Sequence, residues 1–206
     1  MSATASKPGW WHRYSDILPD WFQAYLGLEQ AAKSIRTYES QFIPGLLQTE
    51  EYASALMALA DFPADQTERR VAPRTQRQRR FLDGGLYLWA IIDEAALRRQ
   101  VGGAEVMHGQ LSYLLQAAKR PNLTLQVTPL SSAGHAALSG FSIVRFDDPD
   151  LPDTVYVEHL TSALYLDKRA DVDTYLLAME RLTVVSAQPR SSTEIIESLL
   201  EGLDTP

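Results

Sequence analysis

Cysteine is absent from all 206 residues, which excludes disulfides, Cys-held zinc and thiol catalysis. No apolar run approaches the roughly 20 residues needed to span a bilayer. The opening MSATASKPG has no apolar segment of the kind a secretory signal needs. Histidine is scarce: His12, His108, His135 and His159 lie far apart and show no ligand spacing, so they read as surface or packing groups rather than as a metal site. Positive charge is in deficit, 19 Lys and Arg against 26 Asp and Glu, for a net charge of −7. Such a chain is poorly suited to hold a polyphosphate, because nucleic-acid affinity rests on clustered cations. The G-x-S-x-G, P-loop, G-x-G-x-x-G and H-E-x-x-H patterns are missing as well. The expectation is a chain of the cytoplasm with no membrane contact, metal, cofactor or recognisable catalytic set.

What is present is 45% hydrophobic sequence, enough for one sizeable core and too short for two ordinary domains and a linker. Residues 1–9 read as a tail or linker remnant and 10–206 as a single domain. Trp10, Trp11, Tyr14, Trp21, Phe22 and Tyr25 form an aromatic cluster that needs a surface to cover, on the main body or on something upstream. SIRTYESQFI (34–43) alternates as a strand, with Ile35, Thr37, Glu39 on one face and Arg36, Tyr38 on the other. Pro44 then suits the first turn of a helix reaching about residue 60. The lone Gly45 there argues for a chain reversal rather than a phosphate cradle. An arginine-rich helix at 65–82 contains Pro73 and is expected to kink or split near residue 72.

LYLWAIID (86–93) reads as a buried strand, followed by helical turns at 94–99, a Gly102-Gly103 break and an amphipathic helix at 105–119. NLTLQVTPL (122–130), FSIVRF (141–146), TVYVEHL (154–160) and ALYL (163–166) suggest an antiparallel meander. Two helices close the chain, at 170–187 and 192–203, the second opened by a Ser191–Glu194 capping box. Helices and strands come in blocks, so the expected class is α+β, a mainly antiparallel sheet packed with amphipathic helices.

Three features bear on function. Arg70, Arg74 and Arg77 fall on one helical face, either a solvated face that answers the acidic surplus or a clamp for an anion. SSAGHAALSG (131–140) is either a tolerant surface loop or a lid with Gly134 and His135 at its tip. Glu39, Glu94 and Glu158 sit in or at the ends of strands, where a carboxylate must find a partner or raise its pKa. They form either a structural ion-pair network or an acid–base site.

The stretch WWHRYSDILPDWFQAYLGLEQAAKSIRTYESQFIPGLLQTEEYASAL resembles the opening of the long domain of unknown function that follows an Xre-type helix-turn-helix in actinobacterial, antitoxin-like transcription regulators. The resemblance continues through RVAPRTQRQ (70–78), IIDEAALRRQVGGAEVMHGQL (91–111), NLTLQVTPLSSAGHAALSGF (122–141) and VYVEHLTSALYLD (155–167). Ile35 to Glu39, Pro44 to Thr49, Arg74, Arg77-Gln78, Asp93-Glu94, Gly134-His135 and Glu158 match its pattern, while Pro73 departs from it. Family members carry their DNA-binding domain before Gly9, so the resemblance implies that this chain is an excised piece or a natural short version without it. It further implies a regulatory domain that senses a small molecule or binds a small protein encoded nearby, forms a homodimer, and reaches DNA only through that N-terminal domain. The ligand-facing set expected from these features is Arg36, Tyr38, Glu39, Gln48, Arg74, Arg77, Gln78, Glu94, His135 and Glu158. The alternative is an enzyme or degenerate enzyme acting on a small anionic or nucleotide-like ligand through the same Arg, Glu and His groups.

Overall fold

The alternation at Ala32–Glu39 makes β1, the strand around which everything else is arranged. In a computed structural model of the chain, β1 pairs in parallel with β2 (Tyr87–Asp93), which pairs in parallel with β3 (Leu123–Thr128). On its other side β1 pairs antiparallel with β4 (Phe141–Phe146), followed by β5 (Thr154–Glu158) and β6 (Ala163–Leu166). The six-stranded order is β3-β2-β1-β4-β5-β6. The structure describes residues 9–59, 64–132, 137 and 139–203, with the side chains of 64–68 and 70 outside that description.

The α+β class holds. The β4–β6 meander is as expected, but β3 does not join it. Helices α2 (Glu50–Leu59) and α3 (Ala64–Leu82) lead from β1 to β2, and α4 (Glu94–Arg98) and α5 (Ala104–Ala117) lead from β2 to β3. Parallel neighbours need crossovers of this length, and the strands so joined read as continuous apolar runs because both faces are covered. Tyr87–Asp93 is such a run. β3 alternates in sequence, yet Gln126 and Thr128 are buried too, under α6 (Arg169–Val185) and its exit. Gln126 donates to the Ala187 carbonyl, and Thr128 shares a hydrogen bond with Ser186.

The larger core lies on the sheet face of Ile35, Leu88, Ala90, Ile92, Leu125, Val127 and Val144, beneath α1 (Asp20–Ala31), α2, α3, α5 and α7 (Pro189–Leu203). Trp21, Phe22 and Tyr25 pack there, so these rings of the N-terminal cluster cover the main body. The opposite face, with Tyr38, Ile91, Ile143 and Val157, is covered by Val172, Met179 and Leu182 of α6. The apolar stripe of α7 (Ile195, Ile196, Leu199, Leu200, Leu203) is spent inside the larger core rather than left for a second copy. No helix among the described residues is long and apolar enough to cross a membrane.

Three local expectations are corrected. Pro44 opens no long helix: Gly45–Leu47 is one 3-10 turn, Gln48 is extended, and α2 starts at Glu50. The break is held by side chains that replace helical hydrogen bonds. Gln110 donates to Leu47 O and accepts from Thr49 N–H, both at 2.7 Å, and Gln48 donates back to Ile43 O. α3 runs unsplit through Pro73, since one missing N–H does not break a helix whose neighbouring turns are packed. The last helix begins at Pro189, ahead of the Ser191–Glu194 box. Its Ser192 Oγ instead accepts from Val127 N–H at 2.9 Å, fastening α7 to β3.

Candidate functional site

β1, β2, β3 and β5 all end at one edge of the sheet, where β4 and β6 begin. This edge gathers Glu39, Glu94 and Glu158 from three strand ends. Glu39 and Glu158 point to the larger-core face, as their two-residue spacing from Thr37 and Tyr156 requires. Between them the register places Gly140, one step before Phe141, the partner of Tyr38. A Cβ on Gly140 would lie 2.8 Å from Glu39 Oε2 and 3.1 Å from the Tyr38 carbonyl, so the bare backbone lets the carboxyl lie across the neighbouring strand. Gly140→Ala is therefore expected to cost about 1–3 kcal/mol through overpacking, read as a lower urea midpoint, and to displace Glu39.

α3 brings Arg74 and Arg77 within electrostatic reach of Glu158 at this edge, while its Arg69 and Arg79 are exposed. Arg77 meets Glu29 of α1 with two parallel hydrogen bonds of 2.8 Å, and the two side chains are only 8% and 6% exposed. Its guanidinium also lies over the Phe22 and Tyr25 rings. Burial alone would lower the pKa of Arg77, but Glu29 more than offsets this and holds it above the ordinary value. Arg80 donates to the carbonyls of Glu29 and Ala32. The solvated-face reading is thus wrong for Arg77, and Arg77 and Arg80 together bind α1 and β1 to α3.

Arg74, one turn earlier, is different. Its Nε is sealed from solvent and has no hydrogen-bond partner among the described residues. Burial, then the neighbouring charge of Arg77, lowers its pKa to about 10, while Glu158 works in the opposite sense. It nevertheless stays a cation at neutral pH. Glu39 is pushed up from 4.5 to about 8, by burial first and by the charge of Glu158 second, so at neutral pH it is mostly an uncharged carboxyl. Glu158 is exposed at the rim and accepts the Tyr156 O–H at 2.8 Å. Tyr156 stacks on Tyr25 at 4.2 Å and against Tyr165 at 5.3 Å, so aromatic rings wall the cluster. Among the described residues, no ion pair or hydrogen bond joins Arg74 to Glu158 or Glu39.

The other expected ligand-facing residues divide. Gln78 donates to the Gly45 and Gln48 carbonyls and Gln48 to Ile43, so both serve the turn after β1. Glu94 pairs with Arg98 and accepts from Leu130 N–H at 2.9 Å, pinning the exit of β3 away from the arginines. Arg36 and Tyr38 point to the opposite sheet face. Arg36 lies over Trp89, and the Tyr38 O–H, whose pKa burial and Asp93 raise, reaches toward Asp93. Gly134 and His135 lie outside the described residues. Sequence reasoning missed Glu29, Tyr25, Tyr156 and Gly140; the two-residue step from Tyr156 to Glu158 was the one signal that could have found any of them.

Among the described residues, no group of three or more His, Asp or Glu could hold a metal ion. A shallow cleft of about 500 Å³ lies at the far end of the sheet, lined by Lys33, Asp83, Tyr87, Arg120 and Asn122. Asn122 there is occupied by the Phe81 and Leu86 carbonyls. The shifted carboxyl of Glu39 and guanidinium of Arg74 are not among the residues that line that cleft. No curated protein and no solved structure matches the chain. A family model does match, over residues 22–198, and the chain belongs to that family, described as the domain of unknown function DUF5753.

Proposed function

We propose that the chain is the effector-binding regulatory domain of an Xre-type, antitoxin-like transcription regulator, with the effector seated at Arg74, Glu39 and Glu158. The observation that carries this reading is the Arg74 guanidinium, partly buried, with a sealed Nε that no described residue satisfies. An unpaired polar group of this kind costs stability, and charge without a partner costs more. Such a cost is tolerated where function needs the group. The position fits too, since open sheets with parallel strands bind ligands at the carboxyl ends of those strands. Contact with DNA belongs to a helix-turn-helix element in this reading, because Arg77 and Arg80 are occupied within the domain. Homodimer formation and a small protein partner belong to the proposal on the strength of the resemblance.

The experiment is a thermal-shift screen with small charged metabolites, run on the parent chain and on Arg74→Gln. A bound effector should raise Tm by mass action. Arg74→Gln should lose that response while being as stable as the parent or more so without ligand, since it removes an uncompensated charge. A variant that unfolds readily on its own would show that Arg74 is structural and would remove this reading. The enzymatic alternative draws on one observation, a carboxyl pushed up to about 8 beside an exposed carboxylate, the pairing used for acid and base roles. Chemical turnover of a hit, lost in Glu39→Gln, would favour it.

A further inference from the structure

We propose that the ligand of this cluster is dipolar, a small molecule with an anionic group for Arg74 and a cationic group for Glu158, of the class of free amino acids and short peptides. This rests on the effector-binding reading above and narrows it. The charge of Arg77 is spent on Glu29. The charge of Arg74 is not spent on any described protein atom, and Glu158 receives only the Tyr156 O–H among the described residues. Glu39 carries its proton at neutral pH and contributes a neutral group able to donate and accept. The cluster therefore keeps one open positive and one open negative charge.

A simple anion would satisfy Arg74 yet sit in the field of Glu158, and a simple cation at Glu158 would sit in the field of Arg74 and Arg77. A ligand bearing both charges meets both demands and leaves the cluster neutral. Geometry agrees with this. The charge of Glu158 acts on Arg74, yet no ion pair joins the two among the described residues, so neither is taken up by direct contact with the other. Gly140, the strand position between Glu39 and Glu158, gives its space to the Glu39 carboxyl, which brings that neutral group to the side of Glu158.

The test is calorimetric titration of the whole chain near pH 6, below the value of about 8 to which Glu39 is pushed in the parent. The titrants are the proteinogenic amino acids and a dipeptide set, beside phosphate and dicarboxylates. Each hit is repeated as its N-acetyl derivative, which lacks the cation, and as its C-terminal amide, which lacks the anion. Either block should weaken binding by about tenfold or more, the worth of one charge-assisted contact. Glu158→Gln should weaken the parent ligand similarly but leave its N-acetyl derivative unchanged, and Arg74→Gln should spare the amide. Hits indifferent to N-acetylation, or binding only by phosphate and dicarboxylates, would overturn the dipolar ligand while leaving an effector site standing. Binding by no titrant would overturn both.

Discussion

Replacing Arg77 with methionine is expected to lower unfolding stability by about 3–5 kcal/mol, the usual penalty for leaving one member of a buried ion pair alone. Glu29, only 6% exposed, would lose the guanidinium paired with its carboxylate, and Phe22 and Tyr25 would lose the same group above them. Methionine retains most of the stem volume, so the loss reports the charge and not a cavity. The double variant Glu29→Leu with Arg77→Met should recover most of it, because a packed apolar pair often equals or exceeds a buried salt bridge. Urea denaturation at constant slope measures both. A single-variant cost under about 1 kcal/mol would mean that solvent screens the pair, and that α1 is held to α3 by packing alone.

Glu39→Gln should diverge from the parent as pH rises, becoming the more stable protein in alkali. A carboxyl pushed up from 4.5 to about 8 in the folded chain binds its proton more tightly folded than unfolded. Its contribution is therefore complete below pH 4.5 and fades as pH climbs through 8. Each pH unit over which only the native state holds the proton is worth about 1.4 kcal/mol, and contact with solvent at Glu39 cuts the total to on the order of 3 kcal/mol. The stability difference between the parent and Glu39→Gln, followed from pH 5 to pH 9 by chemical denaturation, isolates this group from every other titration. Glu158→Gln should shift the same transition toward lower pH by removing the like charge. A flat difference across that range would show Glu39 to be an ordinary solvated carboxylate and would weaken the whole site.

Several elements were legible because local rules sufficed. β4 and β6 occur where FSIVRF and ALYL lie, and the positive-φ glycines at 102 and 103 end the turns after α4. The inward faces of α5 and α6 follow from helical spacing alone: Met107, Leu111 and Leu114 in one, and Val172, Met179 and Leu182 in the other, are buried. Where local rules competed with distant side chains, they failed. Nothing within residues 44–60 announces that Gln110, some sixty positions on, would break the helix between Leu47 and Glu50.

The site divides in the same way. Glu39, Arg74 and Glu158 stand out in sequence by residue type, and the charge of Glu158 acts on both of the others. Gln48, Gln78 and Glu94 stand out equally and are used for turns. By itself the sequence determined the absence of thiol chemistry, the acidic balance, the α+β class and which faces of α5, α6 and α7 turn inward, because these depend on composition and short-range periodicity. Only the tertiary structure decided that Arg77 would be neutralised and Arg74 would not. Two arginines three residues apart on one helix are equivalent until another element brings a carboxylate to one of them, and Glu29 arrives on α1 from far away in the chain.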